Sequence, residues 1–575
     1  MIFDNRIIAM KSYIKLLMLG GVLAATATSC TDLDTPVITN YEQFPDNNIA
    51  SYGDFNKCYF YIRNEAWLGR NFWETVFMQG DEAMGVNFAG NYFDNGRYFF
   101  CSIHQMRPDH TSGGQETDLL SGLTYTNMVI KQYSDPEGDG KDAIVAPLRA
   151  IRAFYTFLFM DMYGDTPIMD RVFLPEEKVD RAPRAEVAKW IETELLEAIP
   201  DLSDANDVTT YGTPNKWMAM ALLAKLYLNW GVYTNPITSV TSAMSDYPAN
   251  EKLDDCVAIC DEIITTGPFE VGDGYRKKFY PDNGLQIKDF IYACPMDPYT
   301  IGNGYWGGWQ PNRFFDFRSS GLMKVGTWGW SPKETPAGVY VLIPECVDRF
   351  NLPGDERNDM VACGPFAGFD SQFNRIPLTY DADGNVSNAI QVKSGRRYKD
   401  LEYTKDIDFV DITLGDVGAE STVANLMKGA RLYKYPPLEE DYDGRWDKKG
   451  LQGNDIPIFR YADILMTKAE CLVRGVAPTL GKTAADYINE VRDCSHAPHF
   501  TGTPTLQDIM DERGREFVME MWRRNDLIRC GMFENDWGWK HVINPAAKTD
   551  FNLRLMPLSN GTLGTNTNWS QNPGY

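Results

Sequence analysis

The chain has 575 residues, and its 43% hydrophobic and 23% charged residues are ordinary for a globular protein. It carries 55 basic and 79 acidic residues, and the resulting net charge of −24 repels phosphate backbones and anionic membrane surfaces, which argues against both as partners. Aromatic residues make up 13% of the chain, with 14 Trp and 30 Tyr, and this surplus asks for an explanation.

The N-terminus has the pattern of a secretory signal peptide. Lys11 and Lys15 precede an apolar run over residues 16–25, and small residues then lead to Cys30. We therefore expect residues 1–29 to be removed and Cys30 to become the lipidated first residue of a bacterial lipoprotein. An ordinary signal peptide cut near this cysteine is the alternative.

Helical periodicity comes in pairs of segments separated by loops. Small residues such as Ala462, Ala469 and Ala485 would let paired helices approach closely, in the style of tetratricopeptide repeats, although no strict 34-residue period survives. The sequence predicts a mainly α fold with about four helix pairs, over residues 51–66 with 118–132, 148–162 with 184–199, 217–228 with 253–264, and 461–473 with 484–491.

Between the helices lies a segment, about 267–454, that is rich in Gly, Pro, Asn and aromatic residues, with short β-like runs at 290–293 and 431–435. We interpret it as a large irregular insertion that carries binding loops on a helical scaffold. The acidic run at 381–385 lacks the third acid and the closing Glu of a calcium loop, so it predicts a hairpin turn instead.

One loop of this insertion holds Gly302, Gly304 and Gly307, the spacing of a dinucleotide-binding turn. Such a turn needs a strand running into it and a helix starting at its last glycine, and neither is predicted here. Four of the 14 Trp fall within residues 306–330. We favour a sugar-stacking platform with neighbouring hydroxyl readers over a merely packed cluster, and the candidate residues are Tyr305, Trp306, Trp309, Trp328 and Trp330 for stacking, with Gln310, Asn312 and Arg313 for hydrogen bonding.

Catalytic signatures are missing from the sequence. There is no GxSxG, HExxH or phosphate-loop motif, so no catalytic residue, metal or cofactor is expected. A pair of catalytic carboxylates stays possible among 79 acids. The charges at Glu512, Arg515, Glu516, Arg523 and Asp526 alternate with apolar residues at helical spacing, which indicates partly buried ion pairs between helices.

Several ordered motifs resemble the SusD/RagB family of surface lipoproteins, which work with TonB-dependent outer-membrane transporters in glycan uptake. The C-terminal ones are the most specific: Arg460-Tyr-Ala-Asp463 followed by Ala469-Glu470, then residues 511–517, and the closing run 571–575. The start at Cys30 and residues 148–167 are also similar. Met521 departs from the pattern, because the family usually has Gly there.

The resemblance implies a single domain over residues 30–575, with a helical scaffold at about 40–266 and 455–530, the insertion at 267–454 and a tail at 531–575. It also implies that an early loop, 91–98, completes the ligand site with Asn91 and Arg97. The protein would be anchored by lipid to the outer membrane, face the cell exterior, and pass oligosaccharides to a SusC/RagA-like TonB-dependent transporter. Peptide capture within the same family is the alternative, and a lipid-anchored glycoside hydrolase is a weaker one.

Overall fold

The computed structural model describes residues 48–68, 70–85, 97–109, 114–239, 248–296, 340–394, 397–407, 427–436 and 453–575. By its internal contacts the chain divides into two units, residues 1–54 and residues 55–575, and the second is one compact body. The first unit is described only for the start of one helix, at 48–54.

Helices dominate the described residues. A π-helical turn, Tyr61–Trp67, extends the first of them. The α-helices are Asn48–Phe60 (α1), Arg70–Met78 (α2), Arg97–Ser102 (α3), Gln115–Tyr133 (α4), Ala146–Tyr163 (α5), Arg184–Ala198 (α6), Lys216–Leu228 (α7), Trp230–Thr234 (α8), Leu253–Thr266 (α9), Pro344–Val347 (α10), Tyr461–Val473 (α11), Ala484–Ser495 (α12), Leu506–Glu516 (α13), Arg523–Arg529 (α14), Lys540–Ile543 (α15) and Asn560–Thr565 (α16).

The helices pack in the predicted pairs, which confirms the mainly α fold. Helix α5 packs against α6, α7 against α9, and α11 against α12, while the π-helical turn packs against α4. Helix α4 also packs on α5, where a Cβ at Gly122 would overlap the ring of Tyr155. Glycine is therefore needed at this crossing, because only its missing side chain lets the two helices approach so closely.

Helix α5 lies at the centre of the scaffold. Among the described residues one helical stretch, 143–163, is long and apolar enough to span a bilayer, and 83% of its most apolar window is buried inside the protein. Nearly every residue of α7 is buried as well. Helices that are apolar on all sides are expected in the interior of a large helical protein, where neighbours cover every face.

The described strands are short and form two-stranded antiparallel ladders. Two of them, residues 83–85 with 340–342 and residues 290–294 with 456–460, pair a strand of the scaffold with a strand of the insertion. The ladders are Ala83–Gly85 (β1) with Tyr340–Leu342 (β5), Thr166–Pro167 (β2) with Arg181–Ala182 (β3), Phe290–Cys294 (β4) with Ile456–Arg460 (β12), Val361–Ala362 (β6) with Arg431–Leu432 (β11), Gly364–Pro365 (β7) with Glu402–Tyr403 (β10), and Gln391–Ser394 (β8) with Arg397–Asp400 (β9).

The insertion has a small hydrophobic core of its own, here called the satellite core. Its buried residues are Ala362, Phe366, Phe369, Leu401, Tyr403, Met427 and Tyr433. Elsewhere in the insertion, Tyr380 and Val386 form a β-bridge around a turn in which the Asp381 carboxylate accepts hydrogen bonds from the backbone N–H groups of Asp383 and Asn385, each at 2.9 Å. The prediction of a hairpin turn at 381–385 is confirmed.

Charged residues of the C-terminal helices form a buried ion-pair network, as the sequence pattern indicated. Arg357 pairs with Glu512 at 2.8 Å and with Glu516 at 3.0 Å, and all three side chains are at most 1% exposed. Arg460 reaches the same Glu516 at 2.7 Å and Asp289 at 2.6 Å. Because Arg357 lies in the insertion and Glu512 in α13, the network joins the insertion to the scaffold.

Candidate ligand-binding site

Most residues of the predicted site lie outside the described residues. These are Tyr305, Trp306, Trp309, Gln310, Asn312, Arg313, Trp328, Trp330 and Asn91, and the lipidation residue Cys30 lies outside them too. Arg97 is the first residue of α3, although only its backbone is described. The described structure therefore shows the residues that directly precede and directly follow these segments.

Two of these flanking residues, Gly85 and Tyr340, are paired in one ladder. Strands β1 and β5 pair antiparallel, with Gly85 opposite Tyr340, Met84 opposite Val341, and Ala83 opposite Leu342. The segment that contains Asn91 begins directly after Gly85, and the segment that contains the aromatic candidates ends directly before Tyr340. The early segment therefore begins, and the aromatic segment ends, at two residues that lie opposite each other in this ladder.

Helix α3 holds the other end of the early segment against the same ladder. The Gly85 N–H donates to Ser102 Oγ at 2.8 Å, and that hydroxyl donates to the Tyr98 carbonyl at 3.1 Å. A Cβ on Gly85 would overlap Tyr98, so the close approach of helix and strand requires glycine at this position. Both ends of the segment 86–96 are therefore anchored at one place.

The start of the aromatic segment is anchored by a buried carboxylate. Met296, the last described residue before it, donates its N–H to Asp455 Oδ1 at 2.7 Å, and Tyr211 donates its hydroxyl to Asp455 Oδ2. Burial raises the pKa of Asp455 to about 6, although these hydrogen bonds favour the ionised form. Asp455 directly precedes β12, so it ties this end of the segment to the β4–β12 ladder.

An exposed tryptophan that the sequence analysis did not select lies beside the β1–β5 ladder. Gly538 and Trp539 both have left-handed backbone conformations, with φ of +53° and +56°. A Cβ on Gly538 would lie 3.1 Å from the Met84 side chain and 3.3 Å from that of Ile343, which places this corner against β1 and the end of β5. Trp539 is 37% exposed. A bulky residue in this conformation is strained, and such strain is concentrated at functional sites.

The residues on either side of Trp539 form a rigid support. Trp537 is buried, and Lys540 Nζ lies 3.2 Å from the centre of its ring while donating to the Phe533 carbonyl at 2.8 Å. Burial lowers the pKa of Lys540 to about 7. His104 stacks on Phe533 with ring centres 4.1 Å apart. The exposed indole is thus carried by a fixed base, which favours a binding role because little ordering is needed when a ligand stacks on it.

The carboxylate of Glu345 lies next to the Gly538 corner. Glu345, in α10, is exposed at the surface. Desolvation of its carboxylate by neighbouring groups raises its pKa, although hydrogen bonding from the backbone of Glu345 and Gly538 favours the ionised form. Asp536 adds a second negative charge nearby, which also raises the pKa of Glu345. An aromatic face next to carboxylate acceptors can hold a polyhydroxylated ring, because the C–H face stacks while the hydroxyl groups donate. In the described part of the chain, no group of three or more His, Cys, Asp or Glu side chains is placed to hold a metal ion.

Sequence reasoning had one signal for Trp539 and none for its position. The run Trp537-Gly538-Trp539 repeats the pattern of tryptophans next to glycine that marked the insertion. It lies in the tail, 531–575, where the sequence analysis proposed no ligand contacts. Gly538 lies close to Met84, which is far away in the sequence, and local sequence patterns do not reveal such long-range packing.

Two family models match this chain. One, described as the SusD family, matches residues 410–575, and the other, described as starch-binding and associating with the outer membrane, matches residues 118–228. A curated relative, the starch-binding protein SusD of Bacteroides thetaiotaomicron, is 26% identical over 446 residues, covering 75% of this chain and 72% of the relative.

Solved structures share the fold. A laminarin-binding SusD-like protein matches with a TM-score of 0.66 and 19% identity, over 92% of this chain and 100% of the other. Surface glycan-binding protein A of Bacteroides thetaiotaomicron, in complex with laminarihexaose, matches with a TM-score of 0.64 and 17% identity, over 91% and 99%. The two family models and the curated relative confirm the resemblance to the SusD/RagB family that the motifs indicated, and the solved structures confirm the fold.

Proposed function

We propose that this protein is a cell-surface lipoprotein that binds oligosaccharides and delivers them to a TonB-dependent outer-membrane transporter. The observation that carries the proposal is the pairing of Gly85 with Tyr340. It places Gly85, after which the early segment begins, opposite Tyr340, before which the aromatic segment ends. Side chains from both segments could therefore contact one ligand. Trp539 and Glu345 add an exposed ring and a carboxylate beside the same ladder.

The relatives support a glycan as the ligand class. The curated relative is named for binding starch, and two structural neighbours are named for laminarin or laminarihexaose. The clustered tryptophans at 306–330 suit the flat C–H faces of sugar rings, and Gln310, Asn312 and Arg313 suit hydroxyl groups. Asn91 and Arg97 would contact the same ligand from the early segment.

The family resemblance also supports the proposed location and partner. One matching model is described as associating with the outer membrane. With Cys30 lipidated, the protein would be held at the outer face of that membrane, where a glycan meets it before the transporter does. Its role is then capture and delivery, with no bond of the glycan broken.

The test is a glycan array probed with a soluble form that lacks residues 1–30, followed by titration of the glycans that bind. Each of Trp306, Trp309, Trp328 and Trp330 is then changed to Ala, and both glycan affinity and melting temperature are measured. Loss of a stacked ring costs about 1–3 kcal/mol, which corresponds to a tenfold to hundredfold weaker affinity.

The outcomes separate the alternatives. If the four Trp variants melt at lower temperature but bind as tightly as the wild type, the platform lies elsewhere. If a peptide library binds and no glycan does, the protein captures peptides. New reducing ends after incubation with a bound glycan would identify a hydrolase.

A further inference from the structure

A row of exposed polar side chains follows strands β9 and β10 in the insertion. Side chains in an extended chain alternate between two faces. Leu401 and Tyr403 are at most 1% exposed and point into the satellite core. Glu402 and Thr404 therefore lie on the opposite face, and they are exposed together with the residues of β9, among which Tyr398 is 66% exposed.

This row borders an open cleft of about 580 Å³. Clefts that hold small ligands usually have volumes of about 300–1,000 Å³, so a short stretch of a saccharide chain fits. The lining combines an aromatic ring, a thioether, two carboxylates, a hydroxyl and an ammonium group, and its residues are Tyr398, Lys399, Asp400, Glu402, Thr404 and Met427.

The cleft is built on ordered structure. Strand β10 pairs with β7, and the Thr404 N–H donates to the Met427 carbonyl at 3.0 Å. Beneath it, the hydroxyls of Tyr403 and Tyr433 are hydrogen-bonded at 2.9 Å. The walls are thus held in place before a ligand binds, which lowers the ordering cost of binding.

The cleft is also connected to the candidate ligand-binding site. Gly429 donates its N–H to Thr404 Oγ1 at 3.1 Å, and a Cβ on Gly429 would lie 2.6 Å from the Val341 side chain. Ala430 bridges to Leu342, whose N–H donates to its carbonyl at 3.0 Å. Met427, which lines the cleft, is therefore only two positions from Gly429, which packs on β5.

We propose that this cleft is a second saccharide subsite, which holds a further stretch of a long neutral glycan whose other part occupies the site above the β1–β5 ladder. The proposal rests on the proposed glycan-binding function. The Tyr398 ring and the Met427 thioether offer apolar surface to the sugar face, while Asp400, Glu402 and Thr404 accept hydrogen bonds from hydroxyl groups. The two carboxylates, within a chain of net charge −24, disfavour uronate or sulfated glycans.

The test compares a polymer with its short fragment. The probes are amylopectin with maltohexaose and laminarin with laminarihexaose, and binding to the soluble protein is measured by titration and affinity electrophoresis. Tyr398→Ala is expected to weaken polymer binding about tenfold while leaving hexasaccharide binding unchanged, because the shorter chain fills only the first site. Tyr380→Ala is the matched control, since Tyr380 is 62% exposed in the same insertion but does not line the cleft.

Three results would overturn the subsite. One is wild-type polymer affinity in both Tyr398→Ala and Glu402→Gln, another is an equal loss in Tyr380→Ala, and the third is tight binding of polygalacturonate or of a basic peptide that depends on Tyr398. A wild-type protein that binds none of the four neutral probes and no other glycan on the array would contradict the proposed function itself. Equal melting temperatures of the variants and the wild type show that the fold is intact.

Discussion

Gly85 lies opposite Tyr340 in an antiparallel ladder, and the two residues mark the roots of the two segments that contain the proposed glycan contacts. The ladder is only three residue pairs long, yet it is covered by α3 and by the corner at Gly538. A change at this ladder should therefore alter ligand binding before it alters the helical scaffold.

Gly85→Ala tests the ladder directly. The new Cβ would overlap Tyr98, so either β1 or α3 must shift, and overpacking of this kind costs about 1–3 kcal/mol. We expect a lower melting temperature and weaker glycan binding. Gly564→Ala in α16 is the control, because no atom lies within 4 Å of its Cβ position, and it should leave both measurements unchanged.

Trp539→Ala tests the exposed indole. If a glycan stacks on it, affinity falls by about tenfold to a hundredfold, while the melting temperature changes little because the ring lies at the protein surface. Trp537→Ala, in contrast, removes a buried ring that contacts Lys540 and should mainly lower the melting temperature. Unchanged affinity in Trp539→Ala would remove this residue from the site.

Asp455→Asn should change how stability depends on pH. The pKa of Asp455 in the folded protein is about 6, above the ordinary value of 3.8, so the folded state binds the proton more tightly than the unfolded state does. The contribution of Asp455 to stability therefore falls as pH rises from about 4 to 6 and is constant above that range.

Asn stays neutral throughout, so the free energy of unfolding of Asp455→Asn should rise relative to that of the wild type across this window, by up to about 3 kcal/mol. Urea denaturation at pH 4, 5, 6 and 7 measures the difference. A difference that is the same at all four pH values would contradict the assignment.

Arg460→Met should destabilise the whole scaffold. It leaves the buried carboxylates of Asp289, Glu516 and Glu520 without their shared guanidinium, and breaking a buried ion pair costs about 3–5 kcal/mol. Lys482→Ala removes a partly exposed pair with Glu490 and should cost less than about 1 kcal/mol. Chemical denaturation of both variants compares the two, and similar losses would mean that the network is not the source of the stability.

Cys30→Ser should release the protein from the outer membrane without changing its fold. Acyl-chain labelling and membrane fractionation of cells measure the anchor. If the Cys30→Ser protein is still acylated and still sediments with the outer membrane, Cys30 is not the lipidated residue.

The sequence predicted the helix pairs because their apolar residues recur at helical spacing. It also predicted that the charged C-terminal motifs are structural, and the structure explains why. Arg460 of the Arg460–Asp463 motif lies in the buried network, Asp463 pairs with Arg513 at 2.8 Å, and Glu470 pairs with Arg529 at 2.8 Å. Such motifs hold distant helices together, so they identify the fold and carry no information on the ligand.

Other features depend on long-range packing and were not predictable. Arg357 lies in the insertion, and nothing in its local sequence indicates that it reaches Glu512. The substitution of Met521 for the family's usual Gly also becomes clear only in the structure, where Met521 has a φ of +66°. Glycine adopts that conformation without strain, whereas Met521 is held in it by burial on all sides. The aromatic residues at 305–330 lie outside the described residues, and their role stays a prediction.

The fixed ends of the segment 86–96 have a consequence for how the binding surface can change. Gly85 and α3 are held together whatever lies between them, and the entropic cost of closing a flexible connection grows only with the logarithm of its length. Doubling its length would cost about 0.6 kcal/mol, far less than a single buried ion pair of the scaffold. Insertions and deletions between Gly85 and Arg97 should therefore cost little in the global free energy of folding, and under the proposed function they would change the ligand-binding surface.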